Sequence, residues 1–231
     1  MEKLVYLLRQ SDAVSGPSLR DALIEKTAPR LREGGAIHVQ VNVHDEDVAQ
    51  ETIRISKLSP PIRAMVSFWM EDSDTRAVCE RSLAENALVL HGYLVVESVP
   101  VLNRKHVVPH GERTPGANTV TSVKKKAGLP YEDFIEIWHG YHARVAIETQ
   151  STFGYVRNEI VRPLTAGAPA FDAVVEENFP LEALTDPWVF YDYARSQEEY
   201  QARLDRMLDS VGRFLDPDFI ESHPTSEYVL G

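Results

Sequence analysis

PYEDFIEIWHGYHARVAIET, residues 130–149, is the stretch whose reading decides the fold. At 100° per residue, Tyr131, Phe134, Trp138, His142, Val145 and Thr149 fall within an arc of about 80°. Glu132, Asp133, Glu136, Gly140 and Arg144 take the opposite side. The pattern predicts an amphipathic helix with a histidine near the middle of its buried stripe. Pro130 precedes the first turn, where a missing N–H costs nothing, and Glu132 and Asp133 suit the positive end of the helix dipole. An imidazole in that stripe either satisfies its polar atoms inside a core or looks into a cavity.

Around this helix the chain reads as alternating strands and helices. Lys3–Leu8 (KLVYLL) is a buried strand by its β-branched and aromatic content. Gly16-Pro17-Ser18 breaks it, with Ser18 as N-cap of a helix reaching Arg32 and stopping at Gly34-Gly35. Ile37–Val43 alternates strictly, as a strand with one buried face does. Residues 44–61 read as loop, 62–70 as a strand, 73–87 as a helix and 88–101 as a strand. Leu102–Gly116 carries prolines and glycines without a usable period and reads as a linker. The order β-α-β-β-α-β then recurs: a strand at 118–125, the helix at 130–149, strands at 153–161 and 171–179, a helical region at 181–215 interrupted near Asp186-Pro187, and a short strand at 226–230.

The recurrence extends to residues. A slide of 115 places Val5 on Val120, Leu19 on Phe134, Leu23 on Trp138 and Ala28 on Ala143. A slide of 116 brings VQVN (39–42) onto YVRN (155–158), and one of 109 sets AMVSFW (64–69) against AVVEEN (173–178). In this correspondence Thr27 stands where the second half has His142. The expected architecture is α+β: an N-terminal unit over 1–101, a linker over 102–117 and a C-terminal unit over 118–231.

Composition removes several classes of function. A formal charge of −11 argues against nucleic-acid binding, which needs a basic surface; the KKK run at 124–126 is the one dense basic patch. Cys79 stands alone, so no disulfide framework exists and a reducing, cytoplasmic setting is expected. The apolar run LVYLL near the N-terminus is too short for a signal-peptide core or a membrane span, so no membrane association is expected. There is no Walker loop, GxGxxG, GxSxG or His-Glu-x-x-His, and an enzyme with this sequence is expected to work without a cofactor.

The aromatic-rich segment ending in Trp138, His142 and Ala143 resembles the EthD family, within the dimeric α/β-barrel superfamily. The family pattern is Trp-x-x-x-His-Ala-Pro; Arg144 stands in this chain where proline is usual, and the proline survives in the first half as Pro29. Tyr155 and Asn158 in GYVRNEIVRP match the family's following strand, FLDPDFIESHPTSEYVL resembles its ending, and FWMEDSD (68–74) resembles its aromatic third-strand ending. The resemblance implies two ferredoxin-like βαββαβ units forming an intramolecular dimeric α/β barrel, acting as a monomeric pseudo-dimer or as a homodimer. It further implies a small-molecule ligand, aromatic or polyketide-like, held between sheet and helices. The relatives include cofactor-independent monooxygenases, isomerases and cyclases.

His142 is the leading candidate for acid–base chemistry, since imidazole titrates near neutral pH; the plain reading is a core histidine holding helix to sheet. Asn158 and Tyr155 are candidates to orient a substrate oxygen. Alternation puts Tyr155, Arg157 and Glu159 on one strand face and Val156 and Asn158 on the other, and sequence leaves open which faces a cavity. Tyr131, Trp138, His139, Arg157 and Trp69 are the expected substrate-binding side chains, with Trp188 and its aromatic neighbours ordinarily core. His139 and His142, three apart, can share a metal, but no further ligands stand at a recognisable spacing and no metal is expected. Two functions follow: cofactor-free proton transfer on an aromatic or enolisable carbonyl compound, of lyase, isomerase or oxygenase type, or a non-catalytic ligand-binding or structural barrel.

Overall fold

The computed structural model describes residues 1–231. Eight strands, β1 (Glu2–Arg9), β2 (Ile37–Val43), β3 (Ile62–Met70), β4 (Val89–Val101), β5 (Ala117–Val123), β6 (Gly154–Pro163), β7 (Ala173–Phe179) and β8 (Glu221–Val229), close into an antiparallel barrel. The order around it is β1-β3-β2-β8-β5-β7-β6-β4. Strands β1–β4 are contiguous in the order 4-1-3-2 and strands β5–β8 repeat that order, with the seams at β2–β8 and β4–β6. A closed barrel leaves no strand edge unpaired, and neither set of four closes without the other.

Helix α1 (16–33) lies between β1 and β2, α2 (Ala77–Ala84) between β3 and β4, α3 (131–149) between β5 and β6, and α4 (Gln197–Phe214) between β7 and β8. Ser15 caps α1 by accepting from Ser18 N, so the cap falls three residues before the expected Ser18. Helix α2 is shorter than the 73–87 expectation, because Ser73–Thr75 forms a separate 3₁₀ turn whose Asp72 cap bonds Asp74 N. Helices α1 and α3 each widen into a π-helical turn, at Ala22–Thr27 and Ile137–His142, 115 residues apart at each end. Ala28 N reaches Leu23 O and Ala143 N reaches Trp138 O, the five-residue bonds that define such a turn. Pro29 lacks the N–H that an ordinary helical turn would use, which is compatible with the first widening. The second persists with Arg144 in that place, so proline is not its only cause.

The barrel wall is buried on both sides. On the helix side of the first half, Leu4, Tyr6 and Leu8 pack with Leu19, Leu23, Leu31, Val41 and Phe68 in one core. Inside the barrel, Val5, Leu7, Met65, Tyr93, Val95, Val120 and Val174 form an apolar belt. Towards the end where β1 and β5 begin, the interior turns polar. Lys3 contacts Glu97 and Glu176, and Glu176 accepts from Gln40, Asn42 and Asn158. Belt and network together fill much of the interior, where the amide oxygens of Asn42, Asn118 and Asn158 are buried without a partner.

The last strand differs most from expectation, running from Glu221 instead of residue 226. ESHPTS shows no apolar alternation, yet Glu221 accepts from Lys57 N and Leu58 N, His223 Nε2 lies 2.9 Å from Glu221, and Thr225 Oγ1 donates to Asn118 O. Hydrogen bonds and tertiary pairing, more than apolar burial, hold this strand in place. The 102–116 segment is tied to its far end by Thr114 N to Glu227 O and Gly111 N to Val229 O.

A cavity beneath the second-half helices

Between the outer face of β5–β7 and helices α3 and α4 lies a cavity of about 330 Å³. Its floor is Thr119, Thr121 and Val123 of β5, Tyr155 of β6, and Val175, Glu177 and Phe179 of β7. Trp138 and His142 of α3 and Met207, Val211 and Phe214 of α4 form its roof. Ile53 and Ile55 from the first half, with Phe190 and Tyr191, complete the rim. The walls are mainly apolar and no lysine or arginine lines them, so the few polar groups decide the chemistry.

His142 stands at the end of the π-helical turn of α3. Its Nδ1 lies 2.9 Å from the Oγ of fully buried Ser210 on α4, and its ring packs on Phe214 at 4.8 Å. Ser210 Oγ has no second partner, and donation of its proton to Nδ1 would place the imidazole hydrogen on Nε2. Burial holds the ring at a pKa of about 4, so it is neutral near pH 7. His142 thus has one nitrogen anchored against α4 while the residue borders the cavity.

Tyr155, on the helix-facing side of β6, accepts from Trp138 Nε1 at 3.0 Å. Beside it in register stands Glu177, flanked on its other side by Thr119. No hydrogen bond or ion pair from the protein reaches the Glu177 carboxyl, which keeps some contact with solvent at the cavity, and its partial burial pushes its pKa up, to about 7. Thr119 Oγ1 and Gln150 Oε1, from two further lining residues, are buried without a partner.

Of the candidates read from sequence, the structure brings His142, Tyr155 and Trp138 together at this cavity, and the others lie elsewhere. Asn158 points into the barrel interior, where its Nδ2 donates to Val174 O (3.1 Å) and Glu176 Oε1 (3.0 Å); the wall of β6 separates it from the cavity. Tyr131, His139 and Arg157 gather outside the cavity. Tyr131 is 44% exposed and donates to Glu159 at 3.0 Å, and His139 Nε2 lies 3.2 Å from the same carboxylate. The Arg157 guanidinium sits over the Trp138 ring at 5.8 Å and donates to Ser98. Trp69 belongs to β3, opposite Lys3 and Ile37. Burial lowers the His139 pKa, with Arg157 adding to the effect. No group of three or more His, Cys, Asp or Glu is placed to hold a metal ion.

Glu177 is the residue that sequence reading missed. Its signal was present: AVVEENF places two adjacent glutamates in a strand of buried type, and alternation sends one to each covered face. Glu176 enters the interior network; Glu177 has nothing to pair with.

The closed eight-stranded barrel with helices outside it is a fold shared with solved structures. An anthrone oxidase-like protein superposes over 100% of this chain and 92% of its own, at 10% identity and a TM-score of 0.56. A mutant chlorite dismutase from Candidatus Nitrospira defluvii covers 99% of this chain and 92% of its own, at 10% identity and a TM-score of 0.50. At such identity the likeness is one of fold. No protein-family model matches the sequence, and no curated protein matches it. No helix is long and apolar enough to cross a membrane.

Proposed function

We propose that this chain is an EthD-like small-molecule enzyme made of two ferredoxin-like units, 1–101 and 118–231, joined by a linker. It carries out cofactor-independent acid–base chemistry on an aromatic or enolisable carbonyl compound. The repeated 4-1-3-2 strand order and the paired π-helical turns support the tandem arrangement. Trp138 and His142, the two residues of the EthD-like motif with chemistry to offer, both line the cavity.

The observation that carries the reading is an asymmetry between the halves. Where β5 and β7 present Thr121 and Glu177 to the cavity, β1 and β3 present Tyr6 and Phe68, whose rings stack at 5.6 Å and fill the space beneath α1. Tyr6 OH then bonds Glu80 of α2. One half is a packed core, and the other keeps the same space open around polar groups. A protein needing only stability gains nothing from that opening.

The test is binding of 2-naphthol, a planar bicyclic phenol, followed by calorimetry. Micromolar to millimolar binding is expected in the wild type and none in Thr121→Tyr, which copies Tyr6 into the cavity. Equal binding by both proteins would place the ligand elsewhere and end this reading.

A further inference from the structure

Glu177 is a carboxyl group in a predominantly apolar cavity, without a hydrogen-bond donor or counter-ion from the protein. An ion so placed costs stability, and nothing in the fold is gained from it, since Phe68 does the packing at the matching position of the other half. A group retained against that cost is a candidate for chemistry. Its neighbours are arranged for a shared substrate. Thr119, with its unpartnered hydroxyl, stands on one side and Tyr155 on the other, and His142 borders the roof with Nε2 unclaimed by the protein.

Resting on the reading of the cavity as an enzyme site, we infer that Glu177, and not His142, takes the proton. The ligand it serves is an uncharged, ring-bearing compound with an acidic C–H next to a carbonyl. The absence of lysine and arginine from the lining disfavours an anionic ligand, and the aromatic and aliphatic walls favour a ring. In the step, the C–H bond α to the carbonyl breaks and its proton passes to a Glu177 carboxylate oxygen. The bonding pair forms the new C=C, and the carbonyl π pair moves onto oxygen. His142 Nε2–H hydrogen-bonds that enolate oxygen without giving up its proton, the part suited to a buried neutral imidazole. Return of the proton from Glu177 to carbon restores the ketone, so the exchange needs no co-reactant.

The probe is 2-tetralone in D₂O, with deuterium uptake at its α-carbons read by NMR. Wild-type protein should accelerate uptake, with a rate that rises through about pH 7 and then levels, following the carboxyl. The other titratable groups bordering the cavity are Tyr155, His142 and Tyr191; β5 and α4 contribute none. Glu177→Gln should lower the rate by about 10²–10⁴-fold while binding 2-naphthol within about threefold of wild type, and Glu177→Asp should recover part of the rate. His142→Gln should cost about tenfold and leave the pH midpoint in place.

Exchange within threefold of wild type in Glu177→Gln overturns the inference, as does wild-type exchange no faster than buffer. If 2-naphthol still binds in either case, the cavity remains a ligand site and only the role of Glu177 falls. Tighter binding of the tetrahydroisoquinolinium cation than of 2-naphthol above pH 7 would make the carboxylate a counter-ion, and would equally overturn it.

Discussion

Phe68 and Glu177 occupy the same register position in the two halves of the barrel. Phe68 pairs with Leu4 across β3–β1, and Glu177 pairs with Thr119 across β7–β5, with the partners 115 residues apart. An aromatic ring closes one site, and a carboxyl group opens the other. The exchange at this pair, together with Tyr6 against Thr121, sets a packed core apart from an open cavity on one strand topology.

The charge state of the cavity should be visible in stability. Between its ordinary carboxylate range and about pH 7, native Glu177 holds a proton that the unfolded chain has released, so stability falls as pH rises across that window. His142 acts in the opposite sense. The unfolded chain binds a proton near pH 6.5 and the native ring resists until about 4, so its contribution is full above 6.5 and is lost as pH falls towards 4. The slopes oppose each other between about 4.5 and 6.5. Glu177→Gln should expose the His142 slope, with a curve that climbs relative to wild type up to pH 7 by as much as about 3 kcal/mol. Urea unfolding from pH 4 to 8 measures this, and parallel curves would contradict the assignment.

Copying the first half into the second should trade function for stability. Glu177→Phe removes the unpaired carboxyl and fills part of the cavity, as Phe68 does beneath α1. A gain of about 0.5–2 kcal/mol is expected, with loss of 2-naphthol binding. A variant less stable than wild type at pH 8 would show that the site cannot take a ring, and that the two halves differ by more than these side chains.

Thr27 stands at the end of the π-helical turn of α1, where His142 ends the turn of α3. It is buried and accepts from Asn86 Nδ2 at 2.9 Å, a bond internal to the packed half. Thr27→Val should cost about 1 kcal/mol through that bond and leave 2-naphthol affinity unchanged. A change in affinity would mean that the halves communicate through the barrel.

The barrel was legible because its strands and helices carry periodic apolar patterns, and one strand order serves β1–β4 and β5–β8 alike. Val5 on Val120 and Trp138 on Leu23 are residue matches, and the π-helical turns repeat their spacing. What escaped was set by context. Residues 221–225 look like loop until Glu221 meets Lys57, His223 meets Glu221 and Arg54, and Thr225 meets Asn118. Alternation along β6 separated Tyr155 from Asn158, but only barrel closure tells which side carries helices. Tyr131 fitted the apolar arc of α3, yet its hydroxyl reaches Glu159 near the start of the helix and takes the ring away from the cavity. Glu177 escaped because a glutamate in a strand reads as solvated until both faces of that strand are known to be covered.

The anchoring of His142 separates two functions of one ring, and two amides can divide them. Asparagine places its terminal atoms near the position of Nδ1, and glutamine reaches towards that of Nε2. His142→Asn keeps a partner for the buried Ser210 hydroxyl and should stay within about 1 kcal/mol of wild type, while losing the donor that faces the cavity. His142→Gln keeps reach into the cavity but leaves Ser210 unpaired, at a cost of about 1–3 kcal/mol. Exchange of 2-tetralone should fall further in the asparagine variant than in the glutamine variant, opposite to the order of their stability losses. Nitrogen NMR of the wild type supplies the independent check, since a hydroxyl donated by Ser210 requires Nδ1 unprotonated and Nε2 protonated at pH 7. A proton on Nδ1 would reverse the bond, make Nε2 an acceptor, and leave His142 unable to hydrogen-bond the enolate oxygen.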